Sequence, residues 1–141
     1  GILAAVALPQ YQVAVAKARY SELMALVKHV KTEQETYYLA NGHYAANCEE
    51  LGGDLPTGTY VDSNKNIMDN NGKFEIRCLF RDSHISGVFI DDKGIAIASY
   101  EQMLSNDTAN ISFACWGLES LYQKVCKTLC GELIDGSWCS K

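Results

Sequence analysis

Apolar residues recur at alternating intervals of three and four through the first forty positions, and this spacing limits what the chain can become. Val13, Ala16, Tyr20, Leu23, Val27, Val30, Gln34 and Tyr37 form the series, with a single polar member. Such spacing places them on one side of an α-helix. Lys17, Arg19, Glu22, Lys28, Lys31, Glu33 and Glu35 fall on the other side. A helix over residues 10–40 would be about 45 Å long, more than a small domain is wide. A coiled coil is the bland alternative, but it sustains its repeat over more heptads and does not give way to Gly- and Asn-rich sequence. Ahead of the stripe stands a bare apolar run, Gly1-Ile2-Leu3-Ala4-Ala5-Val6-Ala7-Leu8-Pro9. A small globular domain has little use for it. A subunit that buries one helix end against copies of itself, or in a membrane, does.

The periodicity then changes. Asn41-Gly42 is a helix-stop signal. Residues 42–72 are rich in Gly, Asn and Asp, contain Gly52-Gly53 and Pro56, and read as a long connecting loop with Cys48 as a staple. Phe74, Ile76, Cys78 and Phe80 alternate with Lys73, Glu75, Arg77 and Leu79, the period of a half-buried strand. Residues 85–90 and 95–100 read as a hairpin about Asp91-Asp92-Lys93-Gly94, and 112–116 as a further strand. Leu118, Leu121, Tyr122, Val125 and Leu129 return to helical spacing, closed by Gly131. The expected fold is α+β: a long N-terminal helix packs its C-terminal half on a small antiparallel sheet while its N-terminal half projects. The helix takes residues 1–40, divided into an apolar segment 1–9 and an amphipathic segment 10–40. A globular head takes 41–141, divided into a connecting loop 41–72, a sheet 73–116 and a Cys-rich region 117–141.

At 141 residues and 48% apolar content the chain suits one domain with a modest core. Its net charge of −5 and its scattered basic residues argue against a nucleic-acid partner. The apolar run 2–8 falls far short of the roughly 20 residues that span a bilayer. Six cysteines, Cys48, Cys78, Cys115, Cys126, Cys130 and Cys139, point to disulfides made in an oxidising compartment, with fifteen formal pairings. Zinc is the rival, because Cys126 and Cys130 are four apart on an expected helix with Cys139 close by. However, no Cys-x-x-Cys occurs and His29, His43 and His84 are distant in sequence.

Catalytic signals are weak, and neither an enzyme nor a cofactor is expected. His29 and Glu33 are four apart on a solvated helix face, where a surface pair is the ordinary outcome. Asp62, Asn64, Asn66 and Asp69 evoke a calcium loop, yet Ile67 stands where such a loop needs glycine and Lys73 where it needs glutamate. They read as a polar turn. Asn106-Asp107-Thr108 and Asn110-Ile111-Ser112 fit a glycosylation sequon, a rule often matched by chance. Tyr11, Tyr20, Tyr37 and Tyr38 suit packing at interfaces that are apolar at one end and wet at the other.

The run Gly1-Ile2-Leu3-Ala4-Ala5-Val6-Ala7-Leu8-Pro9-Gln10-Tyr11, followed by Val13-Ala14-Val15-Ala16-Lys17-Ala18-Arg19-Tyr20-Ser21-Glu22, resembles the N-terminal helix of type IV pilins, within the wider group of pilins and pseudopilins. The likeness is close from residue 1 to about residue 26, and beyond residue 38 it is one of layout. It implies that the family's peptidase site, methylated first aromatic residue, membrane-spanning run and lone glutamate lie upstream, so the chain is expected to be N-terminally incomplete. It implies a filament core built on Gly1, Ile2, Leu3, Val6, Leu8, Pro9, Tyr11, Val13 and Tyr20. Pro9 lacks a backbone donor and Gly1 weakens a helix, so a bend or melted stretch is expected between them. The likeness favours the disulfides Cys48–Cys78, Cys115–Cys126 and Cys130–Cys139, which join neighbours; the middle one resembles a Cys-Trp…Val-Cys-Lys pattern of some pilins. The function implied is that of a major pilin, the structural subunit of an extracellular type IV pilus supporting adhesion and motility. Its partners would be identical subunits and the assembly machinery of the inner membrane, where it would reside before assembly. The alternative is a pseudopilin or minor pilin of a type II secretion or DNA-uptake machine.

Overall fold

The computed structural model describes residues 2–141, with side chains along the first helix described from Gln10 onward. Helix α1 runs Ile2–Asn41. The stripe counted in the sequence is the face it buries: Ala16, Tyr20, Leu23, Val27, Val30 and Gln34 are each at most 3% exposed. Val13 and Tyr37 lie half-buried at the two ends of the covered stretch. Among the described residues cover begins at Val13 and runs through the C-terminal half of the helix, which packs on the sheet as expected. The helix stops where the sequence says it should. Gly42 takes φ 78° and its N–H bonds Tyr38 O at 2.8 Å, which closes the last turn with a left-handed residue.

Seven strands form one antiparallel sheet in simple sequence order: β1 (Thr59–Val61), β2 (Ile67–Asp69), β3 (Phe74–Phe80), β4 (His84–Ile90), β5 (Ala96–Met103), β6 (Phe113–Gly117) and β7 (Trp138–Ser140). Every strand pairs with its chain neighbour, so no crossover is needed. α1 lies across β3, β4 and β5. Ile76, Ile85, Phe89, Ala98 and Tyr100 point toward it, and all are buried. Gly87 sits beneath the helix at its closest approach, where an added Cβ would come within 2.6 Å of Val27 Cγ2 and 2.8 Å of Leu23 Cδ1. The C-terminal helix, α3 (Ser120–Cys130), packs on β6, β7 and α1. It closes the core with Tyr122, Val125 and Cys126. Gly117 allows α3 to fold back onto β6, since a Cβ there would lie 2.7 Å from the Gln123 backbone nitrogen.

Three expectations change. The segment 41–72 is not a plain loop: it holds the short helix α2 (Cys48–Leu51) and the β1–β2 hairpin that widens the sheet. Strands of three residues carry no period that a sequence can display. They form because β3 offers an open edge, with Ile67 opposite Ile76, and because Ile67 reaches the core. The Cys-rich region likewise contributes β7, paired with β6. Leu118 falls outside α3 and is exposed.

Candidate functional site

The candidate features are an emergent helix and a covalently fastened head. From Gln10 to Gln12 the helix is exposed on all sides, and Tyr11 is 70% exposed. Beyond that point Ala14, Ala18, Ser21 and Ala25 stay exposed on the face away from the head. Short side chains there leave a low surface beside which another helix can lie closely. The expected filament-core residues thus separate. Tyr11 is presented, and Val13 lies at the head's margin. Tyr20 is a correction: it belongs to the core of its own head, 1% exposed, with its hydroxyl donating to Trp116 O at 2.8 Å and its ring edge-on to Phe89. The reason is its phase, because Tyr20 shares the stripe with Ala16 and Leu23. The side chains of Gly1, Ile2, Leu3, Val6, Leu8 and Pro9, and the bend expected among these residues, lie outside the described residues.

The cysteines bond in neighbouring pairs, Cys48–Cys78, Cys115–Cys126 and Cys130–Cys139. Their arrangement explains the four-residue spacing that raised the zinc reading. Cys126 and Cys130 stand one turn apart on α3, while Cys115 and Cys139 are directly opposed on β6 and β7. Two parallel staples therefore rivet one helix across two strands. Cys48–Cys78 ties α2, and with it the chain leaving α1, to the middle of the sheet. In the chain-entropy model the longer closure contributes roughly 4 kcal/mol and each shorter one roughly 3 kcal/mol.

Two neighbouring helix residues add polar ties that spacing could not disclose. Gln34 donates from Nε2 to Ala45 O and Cys78 O, both at 2.8 Å, while its Oε1 accepts from the Ala45 N–H at 2.9 Å. Glu35 accepts from the Ser105 N–H and hydroxyl and from the Tyr44 hydroxyl. Burial, and then that hydrogen bond to Glu35, push the Tyr44 hydroxyl above its ordinary value. Nearby, the Ala46 N–H and then the Tyr37 hydroxyl hold the Glu50 carboxyl below the usual range.

Asp62 of the supposed calcium loop serves the β1–β2 turn, its Oδ1 accepting from the N–H groups of Asn64 and Asn66. His29 Nε2 and Glu33 Oε1 meet at 3.1 Å one turn apart, His29 exposed and Glu33 half-buried. No helix among the described residues is long and apolar enough to cross a membrane.

A family model described as pilin, a bacterial filament protein, matches residues 16–125. The chain belongs to the pilin family. This pilin is also 42% identical over 66 residues to a fimbrial protein of Neisseria meningitidis serogroup A / serotype 4A, a match covering 45% of this chain and 39% of the relative. It thus spans about two fifths of the length of the curated relative it matches. No solved structure matches it significantly. Its family is one of structural filament proteins, and both matches support a pilus subunit.

Proposed function

We propose that this pilin is the major subunit of an extracellular type IV pilus, joining copies of itself through the N-terminal part of α1. One observation supports the reading: among the described residues the helix emerges from its own head ahead of Val13, and Tyr11 and the low surface of Ala14 and Ala18 stay exposed. A helix that one copy leaves uncovered can pack against the same helix of the next. Such a head-to-tail contact does not close on itself, and repetition grows a filament. The three disulfides suit a structure that works outside the cell, where no chaperone restores an unfolded head. Adhesion and motility would be properties of the polymer. Before assembly the subunit would wait in the inner membrane, handed on by its assembly machinery.

Negative-stain microscopy of the assembled full-length protein tests this. Thin fibres are expected, and a preparation that stays monomeric under all assembly conditions would overturn the reading. A pseudopilin or minor pilin would instead be present in few copies, so the subunit's share of sheared surface material separates that alternative.

A further inference from the structure

α1 occupies one face of the sheet, and the other face carries a groove of about 460 Å³. Its floor follows from strand register. Ser99 of β5 lies opposite Trp116 of β6, and Trp116 lies opposite Trp138 of β7, so the three share one line across the outer face. Glu101 stands two residues along β5 from Ser99, and His84 enters from β4. The loop joining β5 to β6 forms a side wall with Asp107 and Ile111. Both indoles border the groove, Trp116 half-buried and Trp138 37% exposed.

The polar groups are open to a visitor. Glu101 makes no side-chain hydrogen bond or ion pair among the described residues. Asp107 accepts one weak bond, from the Ala109 N–H at 3.3 Å. Arg81 reaches the rim from the β3–β4 turn, its guanidinium 5.0 Å from the centre of the Phe80 ring. That turn is left-handed at two successive non-glycine residues, Arg81 at φ 51° and Asp82 at φ 60°, a costly conformation for side chains. Asn106 braces it by donating to Asp82 O.

We propose that this groove binds a neutral saccharide. A pyranose ring has a C–H face and a rim of hydroxyls. Indoles paired across neighbouring strands on the outer face provide an apolar platform for the face. The Glu101 and Asp107 carboxylates and the Ser99 hydroxyl are placed at its edge to take the rim, and hydrogen bonds to ionised acceptors are the stronger kind. Two carboxylates against one guanidinium disfavour an acidic sugar. A quaternary ammonium would gain from the indoles and carboxylates, but it is best held by rings that surround it. Here the two tryptophans lie side by side on one surface, with Arg81 at the rim. The volume falls within the range of about 300–1,000 Å³ usual for small-molecule sites. The sheet stands between the groove and α1, so a filament joined through α1 would turn the groove outward. Only that last placement rests on the filament reading.

The test is tryptophan fluorescence of the full chain, titrated with neutral trisaccharides of glucose, galactose, mannose and N-acetylglucosamine. Choline and a sialylated trisaccharide serve as comparisons. At least one neutral sugar should give a saturable shift with a Kd of about 1 mM or tighter. Trp138→Ala should weaken it about tenfold or more. Glu101→Gln should weaken it several-fold while leaving the thermal midpoint in place, which keeps the test usable if the tryptophan variant fails to fold. The proposal fails if no neutral sugar saturates, if choline or the sialylated sugar alone does, or if both variants bind like the parent. None of these results depends on fibre formation, which microscopy scores separately.

Discussion

Gln34 is the polar member of the helix stripe, and it lies fully buried because three backbone groups need it there. Replacing it with leucine would keep the volume and strand Ala45 N, Ala45 O and Cys78 O. Gln34→Leu is expected to destabilise by roughly 3 kcal/mol, seen as a lower urea midpoint at unchanged slope. Tyr20 shows the complementary case of a buried hydroxyl whose neutral form the fold prefers. Burial raises it well above its ordinary value of 10.0, and Tyr122 adds to the shift; burial also raises Tyr100. With the folded value above the unfolded one, the contribution is complete below about pH 10 and is lost as pH rises further, because the unfolded chain ionises first. Thermal midpoints should therefore fall steeply above about pH 10. Tyr20→Phe should lower the midpoint at neutral pH, through loss of the bond to Trp116 O, yet make the alkaline fall shallower. An equal slope in both proteins would contradict this.

The helix–sheet contact is set by a close approach at one glycine. Gly87→Ala would drive a methyl group into Val27 and Leu23, an overpacking that costs about 1–3 kcal/mol. Combining it with Val27→Ala should cost less than the sum of the two single changes, measurable as a coupling in a double-mutant cycle. The period of α1 and the alternation of β3 are visible in the sequence, because long or strongly alternating segments write their burial into residue order. The hairpin about Gly94 is legible through its turn, with Gly94 at φ 78° and Asp91 Oδ1 accepting from the Lys93 and Ile95 N–H groups. β1, β2 and β7 are not legible. At three residues each they owe their existence to a neighbouring edge that supplies their hydrogen bonds.

At the scale of the whole molecule, the covered part of α1 belongs to the head and the uncovered part to whatever packs beside it. Tyr11→Asp should change the head's stability by no more than about 0.5 kcal/mol, since an exposed position carries little of it. On the filament reading it should nonetheless suppress fibre formation in negative stain. Unimpaired fibres would show that Tyr11 is not at the contact. Spacing alone could not assign Tyr20 to the head: a stripe states which residues share a face, not which molecule covers it. The outer-face groove was equally hidden, because Trp116 and Trp138 come together only through the pairing of β6 with β7. The long helix, its end at Gly42, the main strands and the oxidised cysteines are written in residue order, since these depend on local period, turn chemistry and composition. Tertiary structure alone decided where cover begins on the helix, which short strands exist and which side chains meet across strands. Those outcomes depend on contacts between segments far apart in the chain, and no local pattern encodes them.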